Sequence, residues 1–258
     1  MIYVTGDTHA VFNRFSIKSF PEQKEMTKED CVIICGDFGG VWNDTPEERY
    51  WLDWLNDKPF TLLFVDGNHE NFDRLYSSEF DEIDYCGGKA HKIRESILHL
   101  ERGYIFNIQE KKFFCFGGAS SHDIRDGILD PASFSDQRAF KKEYWRKYSC
   151  GDQFRVKGYS WWPQELPSEE EMRRGKENLD QHRWQVDYVI THCLPQEVAS
   201  VFSMGLYESD RLTMYFNQLL NDGISGLQFK HWYCGHYHMN GRVMGIFDIL
   251  YDNIVRIE

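Results

Sequence analysis

Short apolar runs that each end in a polar segment constrain the fold of this chain more than any other feature. The runs have four to six residues, and glycine or another turn-forming residue follows most of them. Their length indicates buried strands rather than helices. They are Ile2 to Thr5, Cys31 to Cys35, Phe60 to Val65, Val186 to Ile190 and His231 to Cys234. The sequence therefore predicts an α/β protein.

The polar segments at the ends of these runs carry most of the candidate functional residues. Open α/β sheets bind ligands in a crevice at the carboxyl ends of parallel strands, so we expect the segments to share one sheet edge. They are Gly6-Asp7-Thr8-His9, Gly36-Asp37, Gly67-Asn68-His69-Glu70, Thr191-His192 and Gly235-His236-Tyr237-His238.

The donor groups in these segments point to metal binding. Carboxylate, amide and imidazole donors together suit Mn, Fe or Zn better than Ca or Mg, and their number fits two ions that share a carboxylate. Any one segment alone has a simpler interpretation, because an Asp after a strand caps helices and a lone His commonly packs in a core. The ordered occurrence of all five favours a single metal site.

With these segments in this order, the chain resembles the calcineurin-like metallophosphoesterase superfamily, whose pattern is D-x-H, G-D, G-N-H-[ED], a lone His and G-H-x-H. The match extends over nearly the whole chain. The resemblance implies a four-layer α/β/β/α sandwich, in which two mixed sheets are flanked by helices. It also implies two divalent metal ions, with Mn²⁺ favoured and Fe or Zn as alternatives.

The resemblance further assigns roles to individual residues. Asp37 would bridge the two metals, and a hydroxide shared by the metals would attack phosphorus in line. His69 would stand beside the phosphate as a proton donor or hydrogen-bond donor. The implied ligands are Asp7, His9, Asp37 and His238 for the first metal, and Asp37, Asn68, His192 and His236 for the second. Asn68 and His69 would also contact the substrate.

Two departures from the family pattern affect the expected function. Ala10 stands where the family usually has Gly, so the backbone there has less freedom to adopt a positive φ. Phe38-Gly39-Gly40 follows Asp37, whereas phosphoprotein Ser/Thr phosphatases carry Asp-Arg-Gly shortly after this Asp. Without that phosphate-clamping Arg, a small phosphate ester, possibly a nucleotide, is favoured over a phosphoprotein. Glu70 either supports the site from behind or opens a surface helix.

Composition narrows the classes of partner and the compartment. The net charge of −12 argues against nucleic acid, which usually requires a basic groove. No run of about twenty apolar residues is present, and Met1 leads directly into a strand, so we expect a cytoplasmic protein without membrane association. Seven Cys, several of them inside apolar runs, indicate buried thiols in a reducing compartment.

The rest of the chain predicts a second sheet and several helices. Segments from Ile97 to Ile108 and from Lys112 to Gly118 are expected as strands of the second sheet, which Arg242 to Leu250 and Ile254 to Ile257 would close. Helices are expected to begin near Thr45-Pro46, at the Ser168–Glu171 capping box and near Ser209. Residues 1–258 would form a single metallophosphoesterase domain.

A segment from about 120 to 167 is expected to be a lid or specificity insertion within that domain. It is rich in aromatic residues that could stack on a nucleobase, although the same residues could simply bury themselves over the sheet. His122 and Arg125 are its candidate phosphate contacts.

Four function classes therefore remain. A hydrolase of small phosphate mono- or diesters is favoured over a protein Ser/Thr phosphatase and over a nuclease of the same superfamily. A catalytically silent metal-binding module is disfavoured because every motif position, including His69, is occupied.

Overall fold

The computed structural model of the protein describes residues 1–222 and 226–257. Apolar β-branched and aromatic residues dominate most of its strands, as expected for strands with two covered faces. The strands are β1 (Ile2–Thr5), β2 (Cys31–Ile34), β3 (Thr61–Phe64), β4 (Asp81–Tyr85), β5 (Gly88–Arg94), β6 (Ile97–Leu100), β7 (Tyr104–Ile108), β8 (Lys111–Phe116), β9 (Ile128–Leu129), β10 (Arg155–Val156), β11 (Tyr188–Thr191), β12 (His231–Cys234), β13 (Gly241–Val243), β14 (Phe247–Ile249) and β15 (Ile254–Ile257).

Most of the helices begin where the sequence places capping residues. The Thr45 side chain accepts a hydrogen bond from the Glu48 amide, and Ser168 and Glu171 form the expected capping box. The helices are α1 (Pro46–Asn56), α2 (Phe72–Leu75), α3 (Gln137–Cys150), α4 (Glu169–Gln181), α5 (Gln196–Ser203) and α6 (Arg211–Asn221). The three helices expected from sequence are confirmed as α1, α4 and α6.

The strands form two large mixed sheets. The first has the order β15-β1-β2-β3-β6-β5-β4, and the second has the order β13-β14-β12-β11-β8-β7. The centre of each sheet is parallel, whereas the outer strands pair antiparallel. β9 and β10 form a separate parallel pair inside the 120–167 segment. The central strands need no hairpin turns, because helices and long loops connect them.

Alternation along each strand shows how the layers stack. Ile2 and Val4 of β1 pack between the two sheets, whereas Tyr3 packs on the outer face beneath α1. In the second sheet Phe113 and Cys115 face the first sheet, and Phe114 faces the helical layer that includes α6. Both sheets are thus buried on both faces, and the predicted four-layer α/β/β/α sandwich is confirmed.

Three expectations about strand placement are wrong. The five motif strands do not share one sheet, since β1, β2 and β3 belong to the first and β11 and β12 to the second. The segment from Ile97 to Ile108 is divided between the sheets: β6 lies in the first and β7 in the second. Ile254–Ile257 pairs antiparallel with β1 and so closes the first sheet. The apolar pattern specifies burial of a strand but not its neighbour, which long-range packing decides.

Candidate metal centre

The carboxyl ends of the two sheets face each other at one side of the sandwich. Asp7, Asp37 and Asn68 follow strands of the first sheet, and His192 and His236 follow strands of the second. His192 Nε2 lies 3.3 Å from Asp37 Oδ2, and the His236 amide donates to Asp7 Oδ1 at 2.9 Å. The polar segments therefore converge as the sequence predicts, but across two sheets instead of along one edge.

One group of side chains has the geometry of a metal site. Donor atoms of Asp7, His9, Asp37 and His238 all lie within 4.8 Å of one another. His238 Nε2 is 3.3 Å from Asp7 Oδ2, and His9 Nε2 is 3.7 Å from Asp37 Oδ2. These four residues are the set that the family resemblance assigns to the first metal.

The remaining predicted ligands lie on the other side of Asp37. His192 Nε2 is 3.2 Å from Asn68 Oδ1, and the His192 and His236 rings are 4.9 Å apart. His192 Nδ1 is 2.7 Å from the Cys35 carbonyl, a contact that fixes the ring with Nε2 toward Asp37. Asp37 thus stands between the two groups of side chains.

The electrostatics of the cluster fit a divalent cation. Asp7 and Asp37 are buried, and within residues 1–222 and 226–257 their ion-pair partners are histidines alone. Burial by itself would lower the pKa of His192, but the two carboxylates raise it to about 10. Burial would likewise raise the pKa of Asp37, yet the neighbouring imidazoles lower it. Two buried carboxylates with so strong an effect on neighbouring pKa values would be stabilised by a metal ion.

The backbone at these strand ends is strained. His9, Ala10, Asp37, His236 and His238 all have φ between 43° and 72°. This left-handed region is unfavourable for residues with a Cβ atom and costs about 1 to 3 kcal/mol at each position. Ala10 adopts it with φ 59° although the family usually has Gly there. Strain of this kind concentrates at functional sites, where it directs side chains inward.

Two motif glycines leave room for a carboxylate from another motif. A Cβ atom on Gly67 would lie 2.0 Å from Asp37 Oδ1, and one on Gly235 would lie 2.0 Å from Asp7 Oδ1. Any side chain at either position would thus displace a candidate ligand. The Gly-Asn-His and Gly-His-x-His patterns therefore follow from close packing between strand ends.

Glu70 supports the second motif from behind. Its buried carboxylate accepts hydrogen bonds from the Phe38 amide at 2.7 Å and the Gly39 amide at 3.2 Å. Burial raises the pKa of Glu70, and the nearby Asp37 carboxylate raises it further. Of the two roles considered from sequence, the structure selects support of the site over a surface helix start.

The sequence analysis missed an arginine that reaches His69 from the 120–167 segment. Arg155 Nη2 lies 3.4 Å from His69 Nε2, and Asp123 holds the guanidinium through Arg155 Nε at 2.9 Å. Burial lowers the pKa of His69, and the Arg155 charge lowers it further, although Asp37 opposes this. Arg155 lies outside every family motif, and its short strand β10 carries no periodic signal by which sequence could place it.

A second contribution of the same segment supports Asn68. The Asn68 amide donates to Ser121 Oγ at 3.3 Å, and Ser121 Oγ donates to Glu165 Oε2 at 2.8 Å. Burial raises the pKa of Glu165 to about 8. This chain of hydrogen bonds orients the Asn68 side chain with its oxygen toward His192.

The two phosphate contacts predicted in this segment lie in different surroundings. The His122 ring is 4.3 Å from the His236 ring, at the edge of the cluster. Arg125 is exposed and makes no side-chain hydrogen bond or ion pair with any part of the chain that the structure describes. The structure thus brings Arg155, not Arg125, to His69.

The cysteines next to predicted ligands lie in the core. Cys193 and Cys234 pack in the apolar layer behind the second sheet, and burial raises the pKa of both thiols. A buried, protonated thiol is a poor metal ligand. The packing interpretation favoured from sequence agrees with this arrangement.

Comparison with known protein families agrees with the geometry. The model of the calcineurin-like phosphoesterase family matches residues 1–240, and the chain therefore belongs to that family. Members of the family are phosphoester hydrolases that use divalent metal ions. No curated protein matches the chain. Within the described residues, no helix has the length and apolar character needed to cross a bilayer.

Proposed function

We propose that the protein hydrolyses a small phosphate ester, either a monoester or a diester, with the help of two divalent metal ions. The observation that carries this proposal is the convergence of seven polar side chains from five strand ends, with the buried carboxylate of Asp37 between the other six. Such a cluster is costly to bury without a cation, and imidazole and carboxylate donors bind one well.

The two metal positions follow the two groups of side chains. Asp7, His9, Asp37 and His238 would hold the first ion, and Asn68, His192 and His236 would hold the second together with Asp37. Mn²⁺ suits this mixture of donors, and Fe or Zn are the alternatives. When bound, the ions supply charge that polarises the phosphoryl group and acidifies water.

His69 and Arg155 would act on the substrate, and their contact with each other supports this role. The Arg155 guanidinium, fixed by Asp123, can bind phosphoryl oxygens that would lie near His69. A bound phosphate would raise the proton affinity of His69, so the imidazole could donate a proton to the leaving oxygen. Asn68 would contact the same phosphate, as the family resemblance implies.

Charge and chemistry support a small substrate in a reducing compartment. The chain is acidic, with a net charge of −12, so a polyanionic nucleic acid is disfavoured as the substrate. All seven cysteines are unpaired, which is typical of the cytoplasm.

A phosphoprotein substrate is the second candidate. The sequence argument against it depends on the missing Asp-Arg-Gly motif, and Arg155 supplies a guanidinium from another segment. A phosphopeptide assay alongside the small esters therefore belongs in the first test.

The test is hydrolysis of para-nitrophenyl phosphate and bis-para-nitrophenyl phosphate by metal-stripped protein, with Mn²⁺ added back, and by Asp37→Asn. We expect Mn²⁺-dependent turnover of at least one ester and its loss in the variant. If neither ester turns over while two metals bind and a protein partner binds unchanged in His69→Asn, the protein is a silent binding module instead.

A further inference from the structure

A cavity of about 440 Å³ opens beside the candidate metal centre. Its inner end includes His9 and His69, and it extends from there along the loop after β2 to the first turns of α1. This size is within the range of small-molecule sites. Its main lining side chains are His9, His69, Phe12, Trp42, Trp51 and Glu47.

The aromatic walls of the cavity are held in place by other rings. Trp51 packs against Phe12 at 6.1 Å and Trp54 at 5.3 Å between ring centroids. Trp42 meets the edge of Trp162 at 5.6 Å, and the Trp162 indole donates to Asp73 at 2.8 Å. Rings fixed in this way can stack on a flat ligand at little entropic cost.

The polar groups of the cavity select against a second anion. Within the described chain its lining includes Glu47 and Glu48 but no Lys or Arg. The amides of Trp42, Asn43 and Asp44 already donate to Glu48 Oε2 at 2.8 to 3.1 Å, so its carboxylate is fixed. Glu47 is exposed at the rim, where it can accept from an N–H group. A neutral flat ring with N–H donors fits these walls better than another phosphate.

We propose that this cavity binds the nucleobase of a nucleotide whose phosphate lies at the metal centre, with a base that carries an amino group. The inference rests on the proposed hydrolase function and gives its substrate class. It also moves the specificity site from the 120–167 segment, where the sequence analysis expected it, to the β2–α1 loop and α1. Trp162 is the contribution of the insertion, and it acts by supporting Trp42.

The test compares adenosine 5′-monophosphate with ribose 5-phosphate, which has the same phosphate and sugar but no base. Each is used as an inhibitor of para-nitrophenyl ester hydrolysis, so the result does not depend on whether the enzyme prefers monoesters or diesters. Trp51→Leu removes one wall of the cavity. Trp145→Leu is the matched control, because it makes the same change at an exposed tryptophan on α3 that neither lines the cavity nor packs against Trp51.

Stacking of a base on an aromatic side chain corresponds to about a tenfold to hundredfold change in affinity. We expect the nucleotide to inhibit at least tenfold more tightly than the sugar phosphate in the wild type and in Trp145→Leu. In Trp51→Leu this ratio should fall to near one. The proposal would be overturned if the nucleotide and the sugar phosphate inhibited the wild type equally. It would also be overturned if the ratio fell equally in both variants, or if fructose 1,6-bisphosphate inhibited more tightly than the nucleotide.

A separate binding measurement distinguishes failure of this inference from failure of the hydrolase function. Adenosine carries no phosphate, so its binding to metal-stripped protein can be followed by tryptophan fluorescence whether or not the protein turns over any ester. We expect quenching by adenosine that ribose does not produce and that Trp51→Leu abolishes. Ester turnover without adenosine binding would refute the base site alone, whereas adenosine binding without turnover would refute the hydrolase and leave the cavity assignment intact.

Discussion

The two halves of the site are built by different means. The metal-binding half consists of residues at strand ends, where close packing of two sheets fixes each side chain and strains the backbone. The other half comes from the 120–167 segment, in which Arg155 contacts His69, and Ser121 and Glu165 support Asn68 through hydrogen bonds. α3 of this segment has no buried residue. The sandwich thus holds the candidate metal ligands, whereas a less buried insertion contacts His69 and Asn68.

Substitution of His69 should give the largest change among tests that keep the metal. Asn cannot transfer a proton, so His69→Asn should lower kcat by about 10² to 10⁴-fold. Steady-state kinetics together with metal analysis check this prediction. The control is His182→Asn, which makes the same change at the C-terminal end of α4. A loss of metal equal to the loss of turnover would show that His69 acts as a ligand and not on the substrate.

Deprotonation of Glu165 should destabilise the insertion at alkaline pH. Burial raises the pKa of Glu165 to about 8, above the ordinary glutamate value near 4.5. The folded state therefore holds a proton that the unfolded state releases, and stability should fall as pH rises from about 4.5 to 8, by about 3 to 5 kcal/mol in total.

Hydrogen exchange at pH 5 and pH 8.5 tests the role of Glu165. Corrected for intrinsic exchange rates, amides of residues 120–167 should lose protection at the higher pH in the wild type. Glu165→Gln should remove much of this loss, and Glu143→Gln, at a half-buried position on α3, should not. An equal loss of protection in Glu165→Gln and in the wild type would contradict the role of Glu165.

Loss of the Arg155 guanidinium should weaken substrate binding without loss of metal. A charge-assisted hydrogen bond contributes about 1.5 to 3 kcal/mol, so Arg155→Ala should lower kcat/KM by about 10 to 100-fold. Arg155→Lys should recover little, because a lysine cannot make the paired contacts of the fork. Arg146→Ala, at an exposed arginine paired with Glu143, is the control. Full activity in Arg155→Ala would remove Arg155 from the substrate site.

The smallest effect is expected for Ser121. Ser121→Ala breaks the chain of hydrogen bonds from Asn68 to Glu165, and supporting partners of metal ligands are worth about 10 to 100-fold in affinity. We expect a loss near the lower end, about tenfold in affinity for one of two Mn²⁺ ions, measured by calorimetry. Ser133→Ala should change neither affinity. An equal loss for both ions would show that Ser121 supports the fold and not Asn68.

The strand-end motifs could be predicted from sequence, whereas the arrangement of the strands and the contacts of the insertion could not. Strand ends carry short motifs whose spacing depends on local backbone geometry, so the cluster around Asp37 was accessible without a structure. The assignment of strands to sheets was not, because apolar alternation in Ile97–Ile108 or Ile254–Ile257 does not encode a partner. Arg155 was inaccessible for a related reason, since the two-residue strand β10 and its loops place it by tertiary contacts alone.

The departures from the family pattern were informative in different degrees. Ala10 adopts the left-handed conformation anyway, so its Cβ atom adds strain without altering the site. The missing arginine after Asp37 argued against a phosphoprotein substrate, whereas tertiary structure brings Arg155 from another segment to His69.

The central claim is that Asp37 joins two metal ions in one hydrolytic site. Its most direct test is the number of Mn²⁺ ions bound by calorimetry, measured with ester turnover in the wild type and in Asp37→Asn. We predict two ions and Mn²⁺-dependent turnover in the wild type, and weakened binding of both ions with turnover lost in the variant. A single bound ion in the wild type, or a variant that keeps both ions and full turnover, would contradict the claim.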